Sequence, residues 1–158
     1  AMSNGVTSRF YQALVETELA VSVTSNCDQF RDPGLFNIYA TVRPGVAPAE
    51  VEAAILAELA RVAGEGLPDA EVEKAKQQII AQVAYNRDGT SDIASQMSEA
   101  EAVADWRFYK DYAANIERVA APDVRRVAQT YFAEDNRTVG YFIPKIATDG
   151  DAAETSAN

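Results

Sequence analysis

Two short stretches of this chain alternate in hydropathy with period two and a third has the composition of a strand, while the residues between them repeat with helical period; that switch limits the fold more than any other feature. The three are Val21-Ser22-Val23-Thr24-Ser25, Phe36 through Val42, and Arg137 through Ile143, the last ended by Pro144. Asp32-Pro33-Gly34 lies between the first two, with proline presetting φ and glycine tolerating positive φ, so the pair reads as an antiparallel hairpin. Phe36, Ile38, Ala40 and Val42 share one face of the second strand, expected to meet the core, and Asn37, Tyr39 and Thr41 share the more open face.

The helical segments follow from spacing and punctuation. Ser8 reads as an N-cap for a short amphipathic helix over about 8–18, carried by Phe10, Tyr11, Leu14 and Val15. Pro48 opens a helix with Val51, Ile55, Leu59 and Val62 on one face, and Gly64 and Gly66 are expected to end it. Pro68 starts the next, with Val72, Ile79, Ile80 and Val83 as its stripe, until Asn86-Arg87-Asp88-Gly89 interrupts the pattern. Helical composition resumes over 91–104. Trp106, Phe108, Tyr109 and Tyr112 then form an aromatic cluster at a spacing that suits a buried helix face, which favours core over a ligand box. Pro122 opens the last helix, where Val124, Val127, Ala128, Tyr131 and Phe132 follow the i, i+3, i+4, i+7, i+8 pattern. The resulting order predicts an α+β fold, a small antiparallel sheet with several helices packed on one face, over residues 1–144, and a linker or flexible tail over 145–158.

With 158 residues the chain fits one domain, long enough to bury about 70% of its unfolded surface. A net charge of −10 repels phosphate backbones and anionic headgroups, which argues against a nucleic-acid partner. No apolar run approaches the roughly 20 residues of a membrane-spanning helix, and no signal-peptide pattern opens the chain.

The chain contains no histidine and a single cysteine, Cys27, so it lacks the side chains that do most neutral-pH proton transfer and zinc ligation. Cys27 has no disulfide partner within the chain and no histidine to activate it, and reads as a small packed residue. Glu71 with Glu73, and Glu99 with Glu101, are carboxylates spaced i, i+2; on a helix that spacing points them to different faces, so neither pair is an acid/base dyad. Asp88-Gly89-Thr90-Ser91-Asp92 lacks the alternating acids and distal glutamate of a calcium loop. No phosphate-cradling glycine loop and no Gly-x-Ser-x-Gly elbow is present. Asn136-Arg137-Thr138 matches a glycosylation sequon but abuts a predicted strand. These residues alone predict no catalytic, cofactor-binding or metal-ligating site.

Ser8 through Leu14, Ala20-Val21-Ser22-Val23, Asp32 through Phe36, the Glu65-Gly66-Leu67-Pro68 turn, Glu73-Lys74-Ala75-Lys76, Asp105-Trp106-Arg107, Asp123 through Ala128 and Asp135 through Gly140 occur in a telling order. Together, over about 3–144, they resemble the pitrilysin/insulinase-type zinc metallopeptidases. The resemblance implies similar α+β domains closing around an unfolded peptide. In that family an inverted His-x-x-Glu-His motif holds zinc in one domain, and an Arg and a Tyr in the opposite half steady the oxyanion. The zinc motif has no counterpart here, and the Arg and Tyr positions fall on Val15 and Val21. The segment is thus similar to a noncatalytic domain, the second of the zinc-bearing half.

The resemblance carries further expectations. The chain needs no cofactor of its own, while zinc belongs to the parent enzyme. Its partners would be a zinc-bearing domain of the same or another chain and a peptide substrate, in a periplasmic or cell-envelope setting. Strands ahead of Ser8 would be missing, making this a domain fragment whose open sheet edge invites self-association. Two other readings stay open: an interaction or scaffold subunit of the same fold with no peptidase role, and one subunit of a two-chain peptidase whose partner carries zinc.

Overall fold

The computed structural model describes residues 1–85 and 89–144. The chain begins with a helical turn at Arg9–Phe10 that widens into a π-helical turn at Tyr11–Val15. Strands β1 (Ala20–Cys27) and β2 (Phe36–Val42) follow, then helices α1 (Pro48–Glu65), α2 (Asp69–Tyr85), α3 (Thr90–Val103), α4 (Trp106–Glu117) and α5 (Ala121–Tyr131), and a 3-10 turn at Glu134–Asn136. The architecture is α+β, as the periodicities predict.

The hairpin is antiparallel, with Val23 opposite Ala40 and Ser25 opposite Ile38. Ala20 pairs with Val42 and Ser22 with Thr41, so Val21 bulges out of register and is 59% exposed. The connecting loop is closed by Asp28, whose N–H donates to Leu35 O at 3.0 Å and whose carboxylate accepts from Asn26 and Asn37, each at 2.7 Å. A side chain at position 34 would place its Cβ 2.3 Å from Asp28 O, so only glycine fits the turn.

Two clusters make the core, and α1 joins them. Phe10, Leu14, Ala20, Val23 and Val51 form the first, with Ile38, Ala40, Val42, Ile55 and Leu59 packed against it. Val62, Leu67, Val72 and Ala128 form the second, backed by Val124 and Phe132. The hairpin therefore turns Ile38, Ala40 and Val42 inward and leaves Tyr39 and Thr41 outside, as its alternation predicts. Phe36 departs from that pattern at the sheet end: it remains partly exposed, its ring 5.2 Å from that of Phe132.

Several local expectations are corrected. Ser8 does not cap the first helix through its side chain: its Oγ is buried without a partner, and the first N–H groups donate instead to Gly5 O, Ala1 O and Met2 O. Gly64 lies inside α1, and Gly66 alone ends it, at φ 83° with its N–H on Val62 O. The aromatic cluster of α4 is not core, since that helix buries no residue and Trp106 is 40% exposed. Trp106 lies instead beneath the Arg107 guanidinium, and Phe108 meets Tyr112 edge-on. On α5 only part of the predicted stripe is inside: Ala128 is buried, whereas Val127 and Tyr131 face solvent.

The third predicted strand does not form. Residues 137–144 carry no ladder bonds, because neither hairpin strand runs beside them, and Tyr141 OH donates to Glu52 on α1 instead. The interruption expected at Asn86-Arg87-Asp88 and the tail expected over 145–158 lie outside the described residues.

Candidate functional site

Arg9 organises a network of ion pairs that joins three segments of the chain. It leaves the first helical turn toward α1 and α2, where its Nε donates to Glu71 Oε1 at 3.0 Å and Oε2 at 3.1 Å and its Nη2 to Oε2 at 2.9 Å. Glu58 lies beyond, 3.8 Å from Arg9 and 2.7 Å from Arg61, its side chain only 8% exposed. The bidentate pairing with Glu71 holds the Arg9 guanidinium above its ordinary range, with partial burial opposing it. A cleft of about 410 Å³ opens beside this network, lined also by Thr7, Gln12 and Ala13. Its carboxylates already face guanidinium groups, so the arrangement ties three segments together and leaves no free base for proton transfer.

This network escaped the sequence. Glu58 and Arg61 at i, i+3 are a visible helix pair, but Arg9 and Glu71 are separated by 62 positions, and no local pattern announces their meeting. The paired acids diverge as their spacing requires: Glu71 reaches Arg9, whereas Glu73 reaches Lys76 at 2.6 Å. Glu101 accepts the Trp106 N–H at 2.9 Å, and Asp105 accepts that of Arg107 at 2.7 Å, so both acids satisfy the start of α4.

The two positions that the resemblance singles out lie on either side of the turn into β1. Val15 packs against the first core cluster, and Val21 protrudes at the bulge. Neither side chain carries a polar hydrogen, so these positions supply no side-chain donor to a substrate oxygen. Cys27 ends β1 exposed rather than packed, which corrects the expectation of a small packed residue.

Among the described residues no group of three or more His, Cys, Asp or Glu is placed to hold a metal ion. The best-buried carboxylate, Glu58, is held by Arg61 and Arg9, and imidazole is absent from the whole chain. This donor set does not fit zinc, whose sites draw on thiolate, imidazole and unpaired carboxylate. No helix among the described residues is long and apolar enough to cross a membrane.

Residues 1–79 match the family model of the peptidase M16 inactive domain, half of the chain. The chain belongs to this family. It is 34% identical over 102 residues to an uncharacterized zinc protease of Mycobacterium leprae, covering 64% of this chain and 23% of the relative. It is 32% identical over 131 residues to an uncharacterized zinc protease of Streptomyces coelicolor, covering 82% of this chain and 28% of that one. The chain thus spans about a quarter of the length of these curated relatives. Among solved structures, the inactive peptidase domain of a proposed zinc protease from Bordetella parapertussis superimposes with a TM-score of 0.84 at 27% identity, covering 92% of this chain and 80% of that one. The fold and the family resemblance read from the ordered blocks are both supported, and the segment is a noncatalytic domain of the M16 type.

Proposed function

We propose that this domain forms one wall of the substrate chamber of a zinc metalloendopeptidase, packed against a zinc-bearing domain that does the chemistry. The observation that carries the reading is the match of its best-packed half, residues 1–79, to an inactive peptidase domain in a chain without histidine. The domain supplies a rigid surface and no nucleophile, base or metal ligand. The chamber-facing surface is then the open side of the hairpin, where Tyr39 and Thr41 stand away from the core and Ser22 Oγ donates to Thr41 Oγ1 at 3.2 Å. Zinc belongs to the neighbouring domain, in the same chain or in a partner, and the enzyme works on unfolded peptide in a periplasmic or cell-envelope setting.

The test is reconstitution. The purified chain, mixed with the zinc-bearing domain of the parent protein, is expected to co-elute with it and to raise its cleavage of a quenched fluorogenic peptide about tenfold or more, the scale of well-positioned binding contributions. Co-elution with no gain in cleavage would favour a scaffold role instead, and failure of both would remove the chamber assignment.

A further inference from the structure

The charge of this chain is carried by its helices and not by its hairpin. None of the eight residues of β1 or the seven of β2 is charged at pH 7, whereas α1 alone holds Glu50, Glu52, Glu58, Arg61 and Glu65. The side of the hairpin turned away from the core presents Ser22, Thr24 and Asn26 on β1, in register with Thr41, Tyr39 and Asn37 on β2. All are neutral and polar, and Tyr39, 64% exposed, is the one large ring among them. The charged groups that adjoin the strands are matched at both ends. Asp28 accepts from Asn26 and Asn37, each at 2.7 Å, and Glu18 pairs with Arg43 at 3.1 Å. Strands bond to a sheet along its edges, so any further strand would widen this face and not cover it.

Resting on the chamber reading above, we propose that this face receives stretches of extended peptide whose side chains are uncharged, and that Tyr39 is the residue that holds them. The match is one of charge. A lysine or glutamate side chain pressed onto the face gives up water and meets no counter-charge, which costs free energy. Neutral side chains and the peptide backbone instead find hydroxyl and amide groups that both donate and accept. The ring of Tyr39 adds a broad apolar surface with a polar tip, which suits a partner of varied sequence. The net charge of −10 draws basic peptides toward the molecule and repels acidic ones, but on this face it supplies no carboxylate to seat them. The expected order of binding is therefore neutral first, then basic, then acidic.

The intact parent protease tests this with three fluorogenic peptides that share one scissile sequence and differ only in their flanking residues, glutamine, lysine or glutamate. The glutamine peptide is expected to show the lowest KM. Tyr39→Ala should raise that KM about threefold to tenfold and leave kcat unchanged, the signature of lost uniform binding, while Tyr39→Phe should keep most of it. Thr41→Lys should lower KM for the glutamate peptide about fivefold, the scale of one exposed ion pair, and lose that gain at about 0.5 M salt. Both positions are exposed, so the circular dichroism spectrum and the unfolding midpoint should stay unchanged.

The photocrosslinker p-benzoylphenylalanine in place of Thr24, opposite Tyr39, reads whether peptide reaches the face at all. Capture of the glutamine peptide in preference to the lysine peptide supports the proposal. Equal capture of all three, a lowest KM for the lysine peptide, or a KM indifferent to Tyr39→Ala despite capture would overturn it and leave the chamber reading standing. No capture of any peptide would overturn both.

Discussion

The two ends of this molecule are built differently. The first, from Phe10 through Val72, encloses most of the core: Phe10 and Leu14 are 0% exposed and Val51 and Val62 at most 3%. The second, from Thr90 onward, holds the only tryptophan and many of the aromatic rings, yet Ala100 and Ala128 are its only fully buried apolar residues among those described. Phe10 and aliphatic side chains close the interior of the first region, while none of the rings described in the second is fully buried. Aromatic bulk on helical spacing is therefore not sufficient evidence of a core; the helix also needs a neighbour on that side, and α4, which packs mainly on α3 and α2, buries no residue fully.

The largest test of that contrast is Leu14→Ala. It removes a fully enclosed side chain from the cluster that joins the hairpin to α1, and should destabilise the fold by about 2–5 kcal/mol in denaturant titration. A loss no larger than that of a surface substitution would show that the enclosed cluster does not hold the first region together.

Arg9→Ala comes next. Its guanidinium is 18% exposed and spans Glu71 and Glu58, so truncation leaves two partly enclosed carboxylates without their shared partner; a cost of about 1.5–3 kcal/mol is expected. Chemical denaturation at pH 7 measures it, and Arg9→Lys should recover only part, because an ammonium cannot reproduce the two-pronged contact. Gly34→Ala should follow at about 1–3 kcal/mol, since the added carbon meets Asp28 O and the turn must open.

Trp106→Ala sharpens the comparison from the other side. Despite its size, the ring is 40% exposed beneath Arg107, and its loss should cost below about 1 kcal/mol. A cost like that of Leu14→Ala would mean that α4 is sealed after all.

The smallest effect is a pH dependence. Its hydrogen bond to the Glu52 carboxylate raises the Tyr141 phenol above its ordinary value. The contribution is complete below about pH 10 and is lost as pH rises through the higher folded-state value, because the folded chain holds the proton more tightly than the unfolded one. Phenolate absorbance of the wild-type chain minus that of Tyr141→Phe gives the midpoint, and Glu52→Ala should move it down toward the ordinary value.

Where local rules sufficed, the sequence was readable. The hairpin and the inward face of β2 follow from alternation, and the turn falls at Asp32-Pro33-Gly34 as expected, although Gly34 is required there by the close approach of Asp28 O and not by a positive φ. The helices opened by Pro48 and Pro122 follow from proline at the first turn. What failed depended on distant partners. Residues 137–143 have strand propensity, but a strand exists only with a neighbour to bond. Ser8 has the right side chain for a cap, yet carbonyls from residues 1, 2 and 5 arrive first. Tyr131 keeps the helical interval and still points outward, because α5 touches α1 along a narrower stripe than its apolar pattern allows. The Arg9 network was invisible for the same reason, being formed by residues far apart in the chain.

The central claim is that this domain shapes a peptidase without performing its chemistry. Isothermal titration with zinc, run beside a peptide-cleavage assay on the same purified chain, addresses it most directly. The account predicts no stoichiometric metal uptake and no turnover. One tightly held zinc per chain, with cleavage abolished by a chelator and restored by the metal, would contradict it.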